Sequence, residues 1–158
     1  MDPGILSGDL LLVEKFSTKI GTKPQKGEIV LFKPPRKLEE VVVATGGRLG
    51  SRDLFVKRVA GTPGDKIHVD QQAGYVYVNE KLFSGVGDGQ ACDVDAGGLI
   101  QGLLDRTDIS VPPHNTYVLG DCGEVSVDSR VWGPLDDSNL VGRPILRLWP
   151  PGRFGAIP

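Results

Sequence analysis

Phe55-Val56-Lys57-Arg58-Val59-Ala60-Gly61-Thr62-Pro63-Gly64-Asp65 sets a lysine inside a run of β-branched and apolar residues and closes that run on a proline-glycine turn. Short runs of this composition bounded by turn residues read as β-strands. Burying an ammonium group is costly unless it is paired or neutralised. Desolvation lowers the amine's pKa, and a neutral amine can take a proton as a general base. A lysine on an edge strand can equally turn its side chain to water, so this segment alone leaves both readings of Lys57 open.

Moving outward, similar runs recur at residues 10–16, 28–33, 54–60, 66–70, 75–79, 116–119 and 140–148, each flanked by turn signals. Alternation is clearest in Tyr75-Val76-Tyr77-Val78-Asn79, and Ala73-Gly74 supplies a turn, so residues 66–79 read as a hairpin. Pro34-Pro35 ends the second run because proline cannot donate to a ladder, and the stretch from there to Asp53 is expected to be a loop. Residues 84–107 are expected to form an irregular insertion, with a helical turn near Leu99 to Leu104. Asp88, Asp93 and Asp95 lie in it without the spacing of a calcium loop.

Glycine (22) and proline (12) make up more than a fifth of the 158 residues, which favours many turns and short strands over long helices. The length suits a single domain, 1–158. Eighteen basic residues stand against 20 acidic ones, for a net charge of -2, which gives no basic face suited to nucleic acid. Cys92 and Cys122 are too few for a disulfide framework, and whether they pair is a question of geometry. No run reaches the roughly 18 apolar residues of a membrane span. His68 and His114 are the only histidines, so the helical His-pair motif of zinc peptidases is absent and no metal is expected.

The second chemistry-bearing stretch is Gly120-Asp121-Cys122-Gly123-Glu124-Val125-Ser126-Val127-Asp128-Ser129-Arg130-Val131-Trp132-Gly133-Pro134. It follows a strand, where a loop can present side chains on a rigid support. Ser126, Asp128 and Arg130 alternate, and in an extended chain all three would face one way. Asp128 and Arg130 could then pair and leave the Ser126 hydroxyl for another partner. An ordinary turn with a surface ion pair is the alternative.

Together these stretches resemble the type I signal peptidases, a family of serine/lysine proteases. Lys-Arg-Val-Ala-Gly-Thr-Pro-Gly-Asp (residues 57–65) is similar to their lysine box, and Gly120-Asp121 with Ser126-Val127-Asp128-Ser129-Arg130 and Gly133-Pro134 to their C-terminal box. Met1-Asp2-Pro3, Gly8-Asp9 and Val13-Glu14-Lys15 resemble the stretch just after the family's nucleophile. The segments 27–33, 140–143 and 148–151 match as well, so the likeness spans nearly the whole chain outside the 84–107 insertion.

The resemblance implies a mainly β fold: a signal-peptidase-like antiparallel core, partly open and barrel-like around Lys57, with a small irregular extension. It makes Lys57 the general base of a Ser/Lys dyad and Ser126 the residue that orients its amine, within about 3.2 Å. Asp128, Arg130, Arg58 and Asp121 become supports. The nucleophilic serine is expected immediately before Met1, so this stretch as it stands carries no nucleophile and would not hydrolyse peptides. A truncated start, with a membrane anchor upstream, explains this more simply than a non-catalytic relative or leader-peptide-binding module. Ser7 is the nearest hydroxyl but sits in a turn. Gly4 stands where the family usually has threonine, and Cys122 where it usually has asparagine.

The substrates implied are preproteins bearing signal peptides or thylakoid-transfer peptides, cut after small residues, with no cofactor. The partners implied also include membrane lipid, and exposed aliphatic residues are expected among Ile5, Leu6 and Leu10 to Leu12. The Pro34-Pro35 pair and the Trp132-Gly133-Pro134 and Trp149-Pro150-Pro151 runs look most like members from photosynthetic organisms, which points to the chloroplast thylakoid membrane, with a bacterial cell membrane as the alternative. A self-cleaving repressor of the same Ser/Lys type is disfavoured by those tryptophan-proline runs and by the lack of a DNA-binding helix pair.

Overall fold

In the computed structural model, the structure describes residues 4–44, 46–50, 52–70, 75–83, 108–121 and 126–157. The 84–107 insertion and its acidic residues, the turn at Ala73-Gly74, and both cysteines fall outside them.

Two antiparallel sheets make up the fold. The larger has seven strands: β1 (Leu10–Glu14), β2 (Ile29–Phe32), β3 (Phe55–Gly61), β8 (Asn115–Leu119), β9 (Leu135–Asp136), β10 (Leu140–Trp149) and β11 (Gly155–Ala156). Its order is β1-β10-β2-β3-β8-β9, with β11 beside β10, so the path is open rather than a closed barrel. The smaller sheet runs β6 (Lys81–Leu82), β5 (Val76–Val78), β4 (Lys66–Val69), β7 (Asp108–Ser110).

Each expected strand is present, with boundaries within two residues of the expected ones. The expected loop after Pro35 is corrected: Arg36–Ala44 forms a helix, α2. Proline is tolerated at a helix start, where its missing N–H would have no intrahelical partner. Leu38, Val41 and Val42 then fall at helical spacing, with Leu38 buried and the two valines packed against the core. The first run also ends sooner than expected, because Phe16–Lys19 turns into a short helix, α1, where the Glu14 carboxylate accepts the Ser17 N–H.

Alternation along the central strands builds two cores. Val59 of β3 and Val118 of β8 join Val30, Phe32, Leu38, Val131, Trp132 and Leu135, while Ala60, Tyr117 and Leu119 face Ile67, Val69, Val76, Val78 and Val111. Strands β3 and β8 are thus buried on both faces, which is why residues 55–61 read as one nearly continuous apolar run.

The Thr62–Asp65 turn joins the two sheets, and Asp65 ties it down. Its carboxylate accepts the N–H and hydroxyl of Thr62, the Asn79 amide and the Lys26 ammonium, at 2.7 to 3.0 Å. Burial works to raise its pKa, and these donors together outweigh that, led by Lys26, lowering it from 3.8 to about 2. A carboxyl depressed on folding contributes stability above its unfolded pKa and loses it as the pH falls through the folded value. Asp65→Asn should therefore lower stability by about 1–2 kcal/mol at neutral pH. In thermal melts the gap to the unsubstituted chain should narrow as the pH is lowered from 4 towards 2; a gap independent of pH would contradict the assignment.

Candidate active site

Lys57 lies on β3, which is sandwiched between β2 and β8: Val30 pairs with Lys57, and Arg58 pairs with Leu119. Parity along the strand puts Lys57 on the same side as Val59 and turns Arg58 to the other side with Ala60. β3 is therefore not an edge strand, and the Lys57 side chain is half-buried on it.

The Lys57 amine is 2.6 Å from the Ser126 hydroxyl. Burial pushes its pKa below the ordinary lysine value; the Asp128 carboxylate opposes that, Arg130 reinforces it and Asp121 opposes it. The residue as a whole keeps part of its surface exposed.

Ser126 is held in place by its C-terminal neighbours. Asp128, fully buried, is the N-cap of a one-turn helix, α3 (Ser129–Trp132), and accepts the Arg130 N–H. The same carboxylate takes the Arg130 guanidinium through Nε at 2.9 Å and NH2 at 2.8 Å, and accepts the Gly120 N–H at 3.0 Å. Arg130 also donates to the Ser126 carbonyl at 3.2 Å. Burial disfavours the Arg130 charge, and the hydrogen-bonded Asp128 more than offsets it, leaving the guanidinium pKa raised. The expected alternation of Ser126, Asp128 and Arg130 in an extended chain is therefore corrected. An aspartate at an N-cap starts a helix rather than continuing a strand, and the ion pair closes across that cap.

Arg58 reaches the Asp121 carboxylate in a bidentate contact, Nε to Oδ1 at 2.9 Å and NH2 to Oδ2 at 3.0 Å, with both side chains almost fully buried. Its NH1 donates to the Gly27 carbonyl at 2.7 Å. This pair ties Asp121, just after β8, to β3. All six sequence-derived residues, Lys57, Arg58, Asp121, Ser126, Asp128 and Arg130, thus fall in one connected region. Ser7 stays exposed in its turn.

Two further residues belong to the 120–134 stretch but were not singled out by sequence reasoning. The Ser129 hydroxyl accepts the Val118 N–H at 3.0 Å, tying α3 to β8. Gly120 sits one step beyond Leu119, where a Cβ would overlap the Ser126 side chain and stand 3.2 Å from the Lys57 nitrogen. Any side chain at 120 would fill the space in which lysine and serine meet. Directly after a strand, that glycine was the available signal.

Comparison with known proteins assigns this β domain to a family. The family model "Signal peptidase, peptidase S26" matches residues 1–149, and the chain belongs to that family. It is 32% identical to the probable signal peptidase I-2 of Synechocystis sp., over 99% of this chain and 62% of that protein. With thylakoidal processing peptidase 1 of Arabidopsis thaliana it shares 31% identity over 97% of this chain and 40% of that one. The probable signal peptidase I-1 of Synechocystis sp. is 33% identical, over 99% of this chain and 70% of that protein. The chain thus spans less than two thirds of several relatives. Among the described residues no helix is long and apolar enough to cross a membrane.

Gly120→Ala should displace Ser126 and let water reach the amine, moving the Lys57 pKa up towards the ordinary lysine value in NMR titration of a labelled side chain; an unmoved titration would refute the packing argument. Asp121→Ala, which strands the Arg58 charge, should cost about 3–5 kcal/mol, and the double change Arg58→Met with Asp121→Leu less, by denaturant unfolding.

Proposed function

We propose that this chain is the catalytic domain of a membrane-associated serine endopeptidase that removes N-terminal signal or thylakoid-transfer peptides after small residues. Lys57 serves as the general base of a Ser/Lys dyad whose nucleophile is a serine immediately before Met1. Ser126 orients the amine, while Asp128 and Arg130 hold Ser126, and Arg58 with Asp121 holds the end of β8 against β3. The observation that supports this most is the 2.6 Å contact between the Lys57 amine and the Ser126 hydroxyl, in a setting whose burial lowers the lysine pKa.

The chemistry derives from that setting. A serine hydroxyl is a weak nucleophile until a nearby base takes its proton, and an amine can do so only while uncharged. Lys57 takes the proton as the serine oxygen attacks the scissile carbonyl and returns it to the departing amine. Water then attacks the acyl-serine, again giving up a proton to Lys57, and the serine is restored. Ser126 keeps the amine aimed without being consumed.

Membrane contact is supported by Leu6, Leu10 and Leu12, which are exposed on or just before β1, beside the exposed Ile145, Leu148 and Trp149 of the paired β10. Ile5 and Leu11 are half-buried, so the aliphatic surface expected on 5–12 comprises Leu6, Leu10 and Leu12. Likeness to plant thylakoidal and cyanobacterial peptidases favours a thylakoid membrane, with a bacterial cell membrane as the other setting.

The test is to extend the chain with a serine before Met1 and an apolar anchor, and to measure cleavage of a preprotein in liposomes. Cleavage is expected, with Lys57→Met abolishing it and Ser126→Ala reducing kcat by about 10²-fold or more. Because the lysine must be uncharged, kcat/KM should rise with pH through the depressed lysine pKa and level off below the ordinary lysine value. A Lys57→Met protein that cleaves normally overturns the proposal.

A further inference from the structure

All nine lysines of the chain lie among the described residues, and eight of them are exposed. Lys57 differs: it is half-buried on an interior strand, with Val30 opposite it on β2 and Val59 two residues further along the same side. A lysine in contact with a carboxylate, as Lys26 is with Asp65 at 2.8 Å, is held in its charged form. The Lys57 amine instead donates to the Ser126 hydroxyl at 2.6 Å, and the two carboxylates that act on it, Asp128 and Asp121, are each taken by an arginine. With an uncharged partner and part of its surface out of water, this amine is uncharged more of the time than an exposed lysine.

An uncharged amine is a nucleophile as well as a base. Because Nζ donates to Ser126 Oγ, the nitrogen lone pair is left free, and the serine keeps its own hydrogen to give to an oxygen beside the amine. Condensation with a carbonyl needs both. Nζ adds to the carbonyl carbon, and a proton from the nitrogen reaches the carbonyl oxygen through the Ser126 hydroxyl. The carbinolamine then loses that oxygen as water, whose two hydrogens are in net the two of the amine, and a carbon–nitrogen double bond remains. No oxidant or reductant is consumed.

We propose that the Lys57–Ser126 pair is a covalent binding site for small neutral aldehydes, which condense with Nζ to an imine while the Ser126 hydroxyl relays the proton. The valines beside Lys57 suit a short alkyl chain, and the half-buried setting selects small molecules over large ones. This rests on the reading of Lys57 as an uncharged base and goes beyond it, since the lone pair here forms a bond to carbon. An imine at residue 57 also takes away the base on which peptide cleavage depends, so the same condensation silences the dyad.

The test treats the chain with propanal and sodium cyanoborohydride at neutral pH, which reduces each imine to a stable secondary amine, and follows every lysine by peptide mass spectrometry. Lys57 should be labelled about fivefold or more faster than the exposed lysines, because each unit by which its pKa is depressed raises the uncharged fraction about tenfold. Ser126→Ala, with its far-UV circular dichroism spectrum unchanged, should slow labelling at Lys57 by about threefold or more through loss of the proton relay and leave the exposed lysines as they were. Labelling of Lys57 no faster than that of the exposed lysines overturns the proposal, and so does undiminished labelling in Ser126→Ala. NMR titration of the labelled Lys57 side chain separates the two readings. A depressed pKa without preferential labelling removes the aldehyde site and leaves the base standing, whereas an ordinary lysine pKa removes both.

Discussion

A partly buried lysine amine set against a serine hydroxyl is the constraint around which the described part of this molecule is arranged. An ammonium group in such a place is unstable by itself, so the protein must either neutralise it or balance it. Here the balance is indirect. The Asp128 carboxylate lies near enough to act on the lysine but is already engaged by Arg130 and by the Gly120 N–H, so the amine's own hydrogen-bond partner is an uncharged hydroxyl. Desolvation then remains the largest influence on Lys57. An aspartate in direct contact would have stabilised the charged form and left the amine protonated, unable to accept a proton.

That arrangement depends on Ser126 being held in place. Ser126 belongs to no strand, and its position is set by the cap of α3, by the Arg130 contact to its own carbonyl, and by the Ser129 hydroxyl anchoring the helix to β8. The Arg58–Asp121 pair fixes the exit from β8 to a side chain of β3. Buried ion pairs of this kind contribute less to net stability than their Coulomb attraction suggests, because both partners are desolvated. Their contribution here is geometric: they hold Asp121 to β3 and the Ser126 carbonyl to α3.

Much of this was legible because strands buried on both faces announce themselves as continuous apolar runs, and a charged residue interrupting such a run stands out. Lys57 and Arg58 were visible for that reason. The helix at Arg36–Ala44 was not, because a proline pair and a high share of charge suggested a connection, while its apolar stripe is only three residues wide. The short strands Asp108–Ser110 and Leu135–Asp136 carry too few residues to show any period, and exist because β4 and β8 offer them an edge to pair with. The alternation of Ser126, Asp128 and Arg130 misled because a two-residue spacing means one thing in a strand and another across a helix cap.

What the order of residues determined unaided was the family and the mainly β character, since these depend on composition, local period and motif spacing. Tertiary structure alone decided that Lys57 lies on an interior strand, that Gly120 must lack a side chain, and that Asp9 meets arginines more than a hundred residues away. Each of those facts depends on which segments become neighbours when the sheets close. Strand order and distant contacts leave no trace in local sequence, because pairing energies are realised only between parts of the chain that folding brings together.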